Sequence, residues 1–334
     1  MKNKGYGFSG IIGHEQLIEH LKKSVEAKRI SHAYILEGPK GSGKNLLAKA
    51  FAMTLLCEEK GSEPCMSCHS CKQVMHDAQP DLVYVTHEKP RTITVDDIRS
   101  QLVADIVIRP EESDYKIYIV DEAEKMNEAA QNALLKTIEE PPEYAVILLL
   151  TTSASSFLPT ISSRCVTLTL QPVADKEIVD FLKEMGIEEE EAKICAAFAQ
   201  GVPGKAVLLA QSEDFSSIKE EAIRLLKRIA EIDSAEMGQQ IRRINEYHMD
   251  LTDYLDILVV WYRDVLRFKA TQDANGLIFK DEVLEIRRQS NLISYSGIKD
   301  IIEALQKAKE RLRANVNYDL TMELLLSTIK ENQK

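Results

Sequence analysis

Ala33-Tyr-Ile-Leu-Glu37-Gly38-Pro-Lys-Gly41-Ser-Gly43-Lys44-Asn45 is the stretch on which the fold turns. Its first residues read as a short apolar strand, and a glycine-rich turn follows. The apolar periodicity from Asn45 to Leu56 then reads as a helix. The turn matches the phosphate-loop pattern G-x-x-x-x-G-K-[ST] at every fixed position but the last. Glycines let backbone N–H groups converge on phosphate oxygens, while Lys44 and the helix N-terminus add positive potential. Gly38, Gly41, Gly43, Lys44 and Asn45 are therefore candidate nucleotide-binding residues. The last position normally offers Mg²⁺ a hydroxyl, and here it is Asn45. An amide is bulkier and cannot shed a proton, so weak or absent ATP/Mg²⁺ binding and hydrolysis are expected.

Outward from this stretch the pattern alternates. Helical spacing covers His14 to Lys28, Val95 to Ala104 (with Thr94 as N-cap) and Asn127 to Glu139, which Pro141 and Pro142 stop. Strands are expected at Leu82 to Thr86, Lys116 to Val120, Ala145 to Thr151 and Val166 to Leu170. Alternating strands and helices imply an α/β fold with a mostly parallel sheet. Ile117-Tyr-Ile-Val-Asp121-Glu122 ends one strand in two acids. Behind a phosphate loop, such acids hold Mg²⁺ and orient water.

After Gln171-Pro172 no convincing strand is found. Helical patterns run over Asp175 to Met185, Glu188 to Gln200, Gly204 to Gln211, Ile218 to Ile232, Asp250 to Lys269 and Tyr295 to Arg313. The acidic run Glu188 to Glu191 reads as a solvated helix start. Trp261 and Tyr262 fall in an apolar stripe with Leu255, Leu258, Val259 and Leu266, most simply a bundle core.

Four of the six cysteines fall at Cys57, Cys65, Cys68 and Cys71. Two successive C-x-x-C steps can place sulfurs around one tetrahedral Zn²⁺ at about 2.3 Å. With four thiolates and no open position, such a site is structural. His69 or His76 could stand in for Cys57 as the fourth ligand. Cys165 and Cys195 read as core residues.

The chain has 334 residues, 42 basic and 53 acidic side chains, and a net charge of -11. That length calls for two or three domains. The acidic balance argues against a protein whose whole surface coats nucleic acid. The cysteine region Met53 to Lys72 carries Lys60 and Lys72 against Glu58, Glu59 and Glu63, the wrong sign for a zinc-dependent DNA-binding module. No apolar run reaches membrane-span length, the N-terminus lacks the apolar core of a signal peptide, and a cytoplasmic location is expected.

Several strings occur in one order: Phe8-Ser-Gly-Ile-Ile-Gly13-His14, Ser31-His32-Ala33-Tyr34, the phosphate loop and the cysteine cluster. Asp121-Glu122-Ala123-Glu124, Asn132-Ala-Leu-Leu-Lys136-Thr-Ile-Glu139-Glu140-Pro141-Pro142 and Ser163-Arg164-Cys165 follow them. The chain thereby resembles bacterial AAA+ clamp-loader subunits over about residues 5–211, and in architecture beyond. The resemblance implies a nucleotide-binding-like domain over 1–171 with a zinc module at 57–72. A helical lid over 172–212 and a helical collar over 213–334 would follow. It implies a place in the DNA polymerase III holoenzyme, with gamma/tau and delta subunits as partners. The sliding clamp and primed DNA would be met mainly through the complex.

Motor subunits of that family carry a hydroxyl after the phosphate-loop lysine and a sensor arginine in the lid. Here Asn45 holds the first position and Gly204, in Gly201-Val-Pro-Gly204-Lys205-Ala206, the second. Both departures are those of the non-motor delta-prime type, with an active gamma/tau-like ATPase as the alternative. No appreciable ATPase is expected of the isolated chain. The family also implies that Arg164 acts as an arginine finger on a neighbour's ATP. Thr151 and Thr152 fall at its first sensor.

Overall fold

Five short runs lie side by side in parallel: β1 (Ala33–Glu37), β2 (Leu82–Val85), β3 (Lys116–Val120), β4 (Ala145–Thr151) and β5 (Val166–Thr169). The sheet order is β2-β3-β4-β1-β5. A computed structural model describes residues 6–87, 89–245, 251–314 and 316–333. Every residue of β3 and β4 is buried, as expected where helices cover both faces of a parallel sheet. β5 is an edge strand and mostly exposed.

Side-chain alternation divides the core. Ile117, Ile119, Leu148 and Leu36 face one layer, built with Leu21, Leu47 and Phe51. That layer holds α1 (Glu15–Glu26), α2 (Lys44–Leu56) and α3 (His69–Met75). Tyr118, Val120, Ile147 and Leu149 face the other, with Ile98, Leu134 and Ile161. These come from α4 (Val95–Ile98), α5 (Glu128–Glu139) and α6 (Pro159–Ser162). Tyr34 and Phe51 meet edge to face, ring centroids 5.4 Å apart.

The helix expected over Val95 to Ala104 is α-helical only to Ile98 and continues as a wider π turn over Arg99–Val103. Its start is as read: Thr94 and Asp97 form a capping box, each side chain bonded to the other's backbone N–H. Asn127 is the N-cap of α5 rather than its first turn, its side chain accepting from the Ala130 N–H at 2.8 Å. Leu170 lies just beyond β5, where its N–H donates to the Glu37 carbonyl.

By compactness the chain forms two units. One runs to Phe181 and takes in Gly201–Lys205; the other comprises Leu182–Gln200 and Ala206 onward. The second is helical among the described residues. It includes Glu189–Ala199, Glu213–Arg228, Ser234–Asn245, Leu251–Thr271, Val283–Leu292, Tyr295–Arg313 and Tyr318–Asn332. Asp250, the expected start of one helix, lies outside the described residues. Trp261, Tyr262, Leu255 and Leu258 are buried core, whereas Val259 and Leu266 are half-buried. Trp261 Nε1 donates to Gln289 Oε1 at 2.9 Å, and the Gln289 amide donates to the Leu226 carbonyl. Cys195 is buried in this unit. Cys165, half-buried, packs against the core of the sheet unit.

Candidate functional site

The connections leaving β1 and β4 run opposite ways across the sheet, toward β2 and toward β5. In open parallel sheets the crevice at the carboxyl ends of two such strands is where ligands bind. Here it is a cleft of about 340 Å³. Gly41, Gly43, Lys44 and Asn45 line it from the phosphate loop, Asp121 and Glu122 from the end of β3, and Thr152 from the end of β4. The sequence candidates thus converge, except that Gly38 stands behind the loop rather than in the cleft wall. Gly41 and Gly43 take φ of +86° and +98°, left-handed values that glycine adopts without strain.

Lys44, Asn45, Asp121, Glu122 and Thr152 all have partners within the protein. Lys44 is 9% exposed, and its Nζ donates to the carbonyls of Gly38 at 2.6 Å and Pro39 at 3.0 Å. Burial depresses the Lys44 pKa, while Glu124 and Asp121 push it back up. Asn45 Nδ2 donates to Asp121 Oδ2 at 3.4 Å, a weak contact. Asp121 Oδ1 accepts the Glu122 N–H at 2.8 Å. Glu122 pairs with Lys125, which holds its carboxyl below the usual range. Thr152 Oγ1 donates to Glu124 Oε1 at 2.9 Å, and Thr151 Oγ1 donates to the Ser153 carbonyl at 3.0 Å. Ser42 Oγ, inside the loop, is a buried polar atom without a partner.

Gly204 lies against the loop as well. Its N–H donates to the Gly41 carbonyl at 2.9 Å. A Cβ there would stand 2.7 Å from that oxygen and 3.0 Å from Gly41 Cα. The backbone around residue 204 therefore covers the loop so closely that only glycine fits. Sequence reasoning found Gly204 as a missing arginine but not as a contact. It also gave Glu124 no role, although a carboxylate three residues after Asp121 was a visible signal.

The cysteines form a second cluster. The Sγ atoms of Cys57, Cys65, Cys68 and Cys71 all lie within 4.8 Å of one another, and among the described residues no histidine joins them. Sulfurs about 2.3 Å from a shared ion in a tetrahedron stand about 3.8 Å apart, so this set can hold a metal ion with a small contraction. Backbone N–H groups already point at the sulfurs: Cys65 at Cys57, Cys68 at Cys65 and Cys71 at Cys68, at 3.3–3.4 Å. The Ser67 hydroxyl beside Cys65 brings its thiol down to about 6, while burial pushes Cys57 and Cys71 up. The cluster packs against the start of the chain, where Met66 and Pro64 close on Gly7 and Lys22 pairs with Glu63.

Arg164 follows α6 and precedes β5. Its Nη1 donates to the Thr160 carbonyl at 2.9 Å, and its Nη2 lies 3.1 Å from Glu139 Oε1 at the end of α5.

A parallel sheet of this order, with a phosphate loop behind β1 and an acidic pair behind β3, defines an α/β protein of the phosphate-loop nucleotide-binding class. The family described as "DNA polymerase III, delta subunit" matches residues 13–174, and "DNA polymerase III, delta subunit, C terminal" matches 246–331. The delta-prime subunit of DNA polymerase III from Bacillus subtilis is 32% identical over 95% of this chain and 96% of its own length. The tau subunit of the same organism is 28% identical over 92% of this chain, which spans 58% of tau. A solved gamma-subunit-related protein of Thermotoga maritima overlays at a TM-score of 0.46, with 21% identity, covering 95% of this chain and 99% of that one. The chain belongs to the delta-prime family of DNA polymerase III clamp-loader subunits.

Proposed function

We propose that this chain is the non-motor member of a clamp loader, assembling with gamma/tau and delta subunits to place a sliding clamp on primed DNA. In that assembly the sheet unit through residue 171 is the nucleotide-binding-like domain, 172–212 the lid, and 213–334 the collar that holds partners. Clamp and DNA are met through the complex as a whole, and the work is cytoplasmic. Among the described residues no helix is long and apolar enough to cross a membrane.

The observation that carries the non-motor reading is the self-paired phosphate loop. Lys44 is bonded to the loop's own carbonyls, Thr152 to Glu124, and Gly204 sits on Gly41. A triphosphate would have to draw Lys44 away from the Gly38 and Pro39 carbonyls and would meet Glu124 as a like charge. Gly38, Gly41, Gly43, Lys44, Asn45, Asp121 and Glu122 thus form a degenerate nucleotide site that binds ATP/Mg²⁺ weakly or not at all. Arg164, at the start of β5, is the catalytic contribution. It reaches the ATP of a neighbouring motor, where a cation facing the γ-phosphate stabilises transition-state charge by about 10³–10⁵ in rate. Cys57, Cys65, Cys68 and Cys71 hold a structural Zn²⁺, which ties α2 and α3 together.

Reconstitution tests this. The chain should co-purify in fixed stoichiometry with gamma/tau and delta, and Arg164→Ala should lower the ATPase of the assembled loader while leaving the subunit folded, with a cooperative melting curve. Motor-like turnover by the isolated chain would instead establish the gamma/tau-like alternative. Unchanged ATPase in the Arg164→Ala loader would remove the finger role.

A further inference from the structure

Arg164 is not pointed freely into solvent. Besides the Thr160 carbonyl, its guanidinium faces Glu139 Oε1 at 3.1 Å, and the two side chains are 40% and 44% exposed. Glu139 is the last residue of α5, and Glu140 with Pro141 and Pro142 follows it. A helix C-terminus carries negative partial charge, which favours a cation and disfavours a further carboxylate. The guanidinium relieves that unfavourable placement. It also satisfies Thr160, one of the carbonyls that the short α6 leaves without an intrahelical partner. Two helix ends therefore hold the same cation.

We propose that Glu139 is a positioning residue that parks Arg164 in the free subunit and competes with the neighbouring subunit's ATP for it. The inference rests on the finger role of Arg164. The parked cation is neutralised by Glu139, so it exerts its full charge on a phosphate only after the pair has opened. An exposed ion pair contributes about 0–1 kcal/mol, so the latch is weak enough for a triphosphate to open. Its strength corresponds to a factor of up to about five in binding.

The experiment uses the reconstituted loader with Glu139→Gln, which removes the charge and keeps the shape, and with Glu139→Ala. Both should lower the KM for ATP by about two- to five-fold, with kcat changing less than KM. Raising ionic strength should narrow the difference from the unaltered loader, because salt weakens the pair in the latter. In the Arg164→Ala background, Glu139→Gln should change nothing, since its partner is gone. If Arg164→Ala leaves ATPase unaffected, the finger role fails and the latch with it. If Arg164→Ala lowers ATPase but Glu139→Gln leaves KM unchanged or raises it, the finger stands and the latch is rejected. An effect of Glu139→Ala without one of Glu139→Gln would assign Glu139 to packing and also reject it.

Discussion

A methyl group at position 204 would stand 2.7 Å from the Gly41 carbonyl oxygen, too close for either segment to stay in place. Gly204→Ala should therefore destabilise the sheet unit by about 1–3 kcal/mol, in the manner of overpacking. In a unit of this size that is a Tm lower by roughly 2–12 °C in a thermal scan. Asn45→Thr restores the missing hydroxyl but leaves Lys44, Thr152 and Gly204 engaged. The isolated variant should still turn over ATP at background, as measured by phosphate release; motor-like rates would show that Asn45 alone disables the site. Lys44 and Asp121 could be picked out in the sequence because each follows the end of an apolar strand, whereas Arg164 stood out only through the family resemblance. Their bonding could not. The lysine's partners are carbonyls, which every residue carries, and the Glu139 contact joins two helix ends whose approach depends on the packed sheet.

At the scale of elements, the cysteine module is the part most sensitive to chemistry. Without metal, burial favours the protonated form of the Cys57 and Cys71 thiols, whereas the Ser67 hydroxyl lowers the Cys65 thiol to about 6. Metal binding must expel whatever thiol protons remain, so affinity rises with pH and acid favours release. Metal release followed by a colorimetric chelator should show a steep increase as pH falls below neutrality. Chelation at neutral pH should lower the Tm of the sheet unit, because α3 and the Gly7 region lose a shared anchor. The sequence revealed the cluster but not α3, since C-x-x-C spacing and the His69-Ser-Cys-Lys72 stretch show no apolar period. Thr94 was legible, and its capping box makes Thr94→Ala worth about 0.5–2 kcal/mol in chemical denaturation. The π turn after it was not, because Arg99 to Val103 keep helical composition while the backbone widens.

Across the whole molecule, the two units can be followed separately. Trp261 is the sole tryptophan, fully buried and bonded to Gln289. Its emission should shift to the red when the helical unit unfolds, whatever the state of the cysteine module. Chelation should therefore move the circular-dichroism transition of the sheet unit and leave the tryptophan transition in place; a matching shift in both would show that the units unfold as one. The division into an α/β half and a helical half was legible because continuous apolar strands stop after Leu170. The helices Ser234–Asn245, Val283–Leu292 and Tyr318–Asn332 were harder to see. The first two are markedly polar, and the third mixes exposed Leu320 and Leu324 with buried Leu325 and Leu326, which blurs its apolar face.

Lys44 carries one practical consequence. Replacing the phosphate-loop lysine is the usual control for silencing a nucleotide-driven machine, and the result is taken as a statement about catalysis. In this chain the side chain is a strut. Lys44→Ala would strip the donor from the Gly38 and Pro39 carbonyls and leave a gap behind the loop, a loss of about 1–3 kcal/mol. A weakened loader built with that variant would report on how well this subunit holds its shape, and only a stability measurement made beside it would keep the control from being misread.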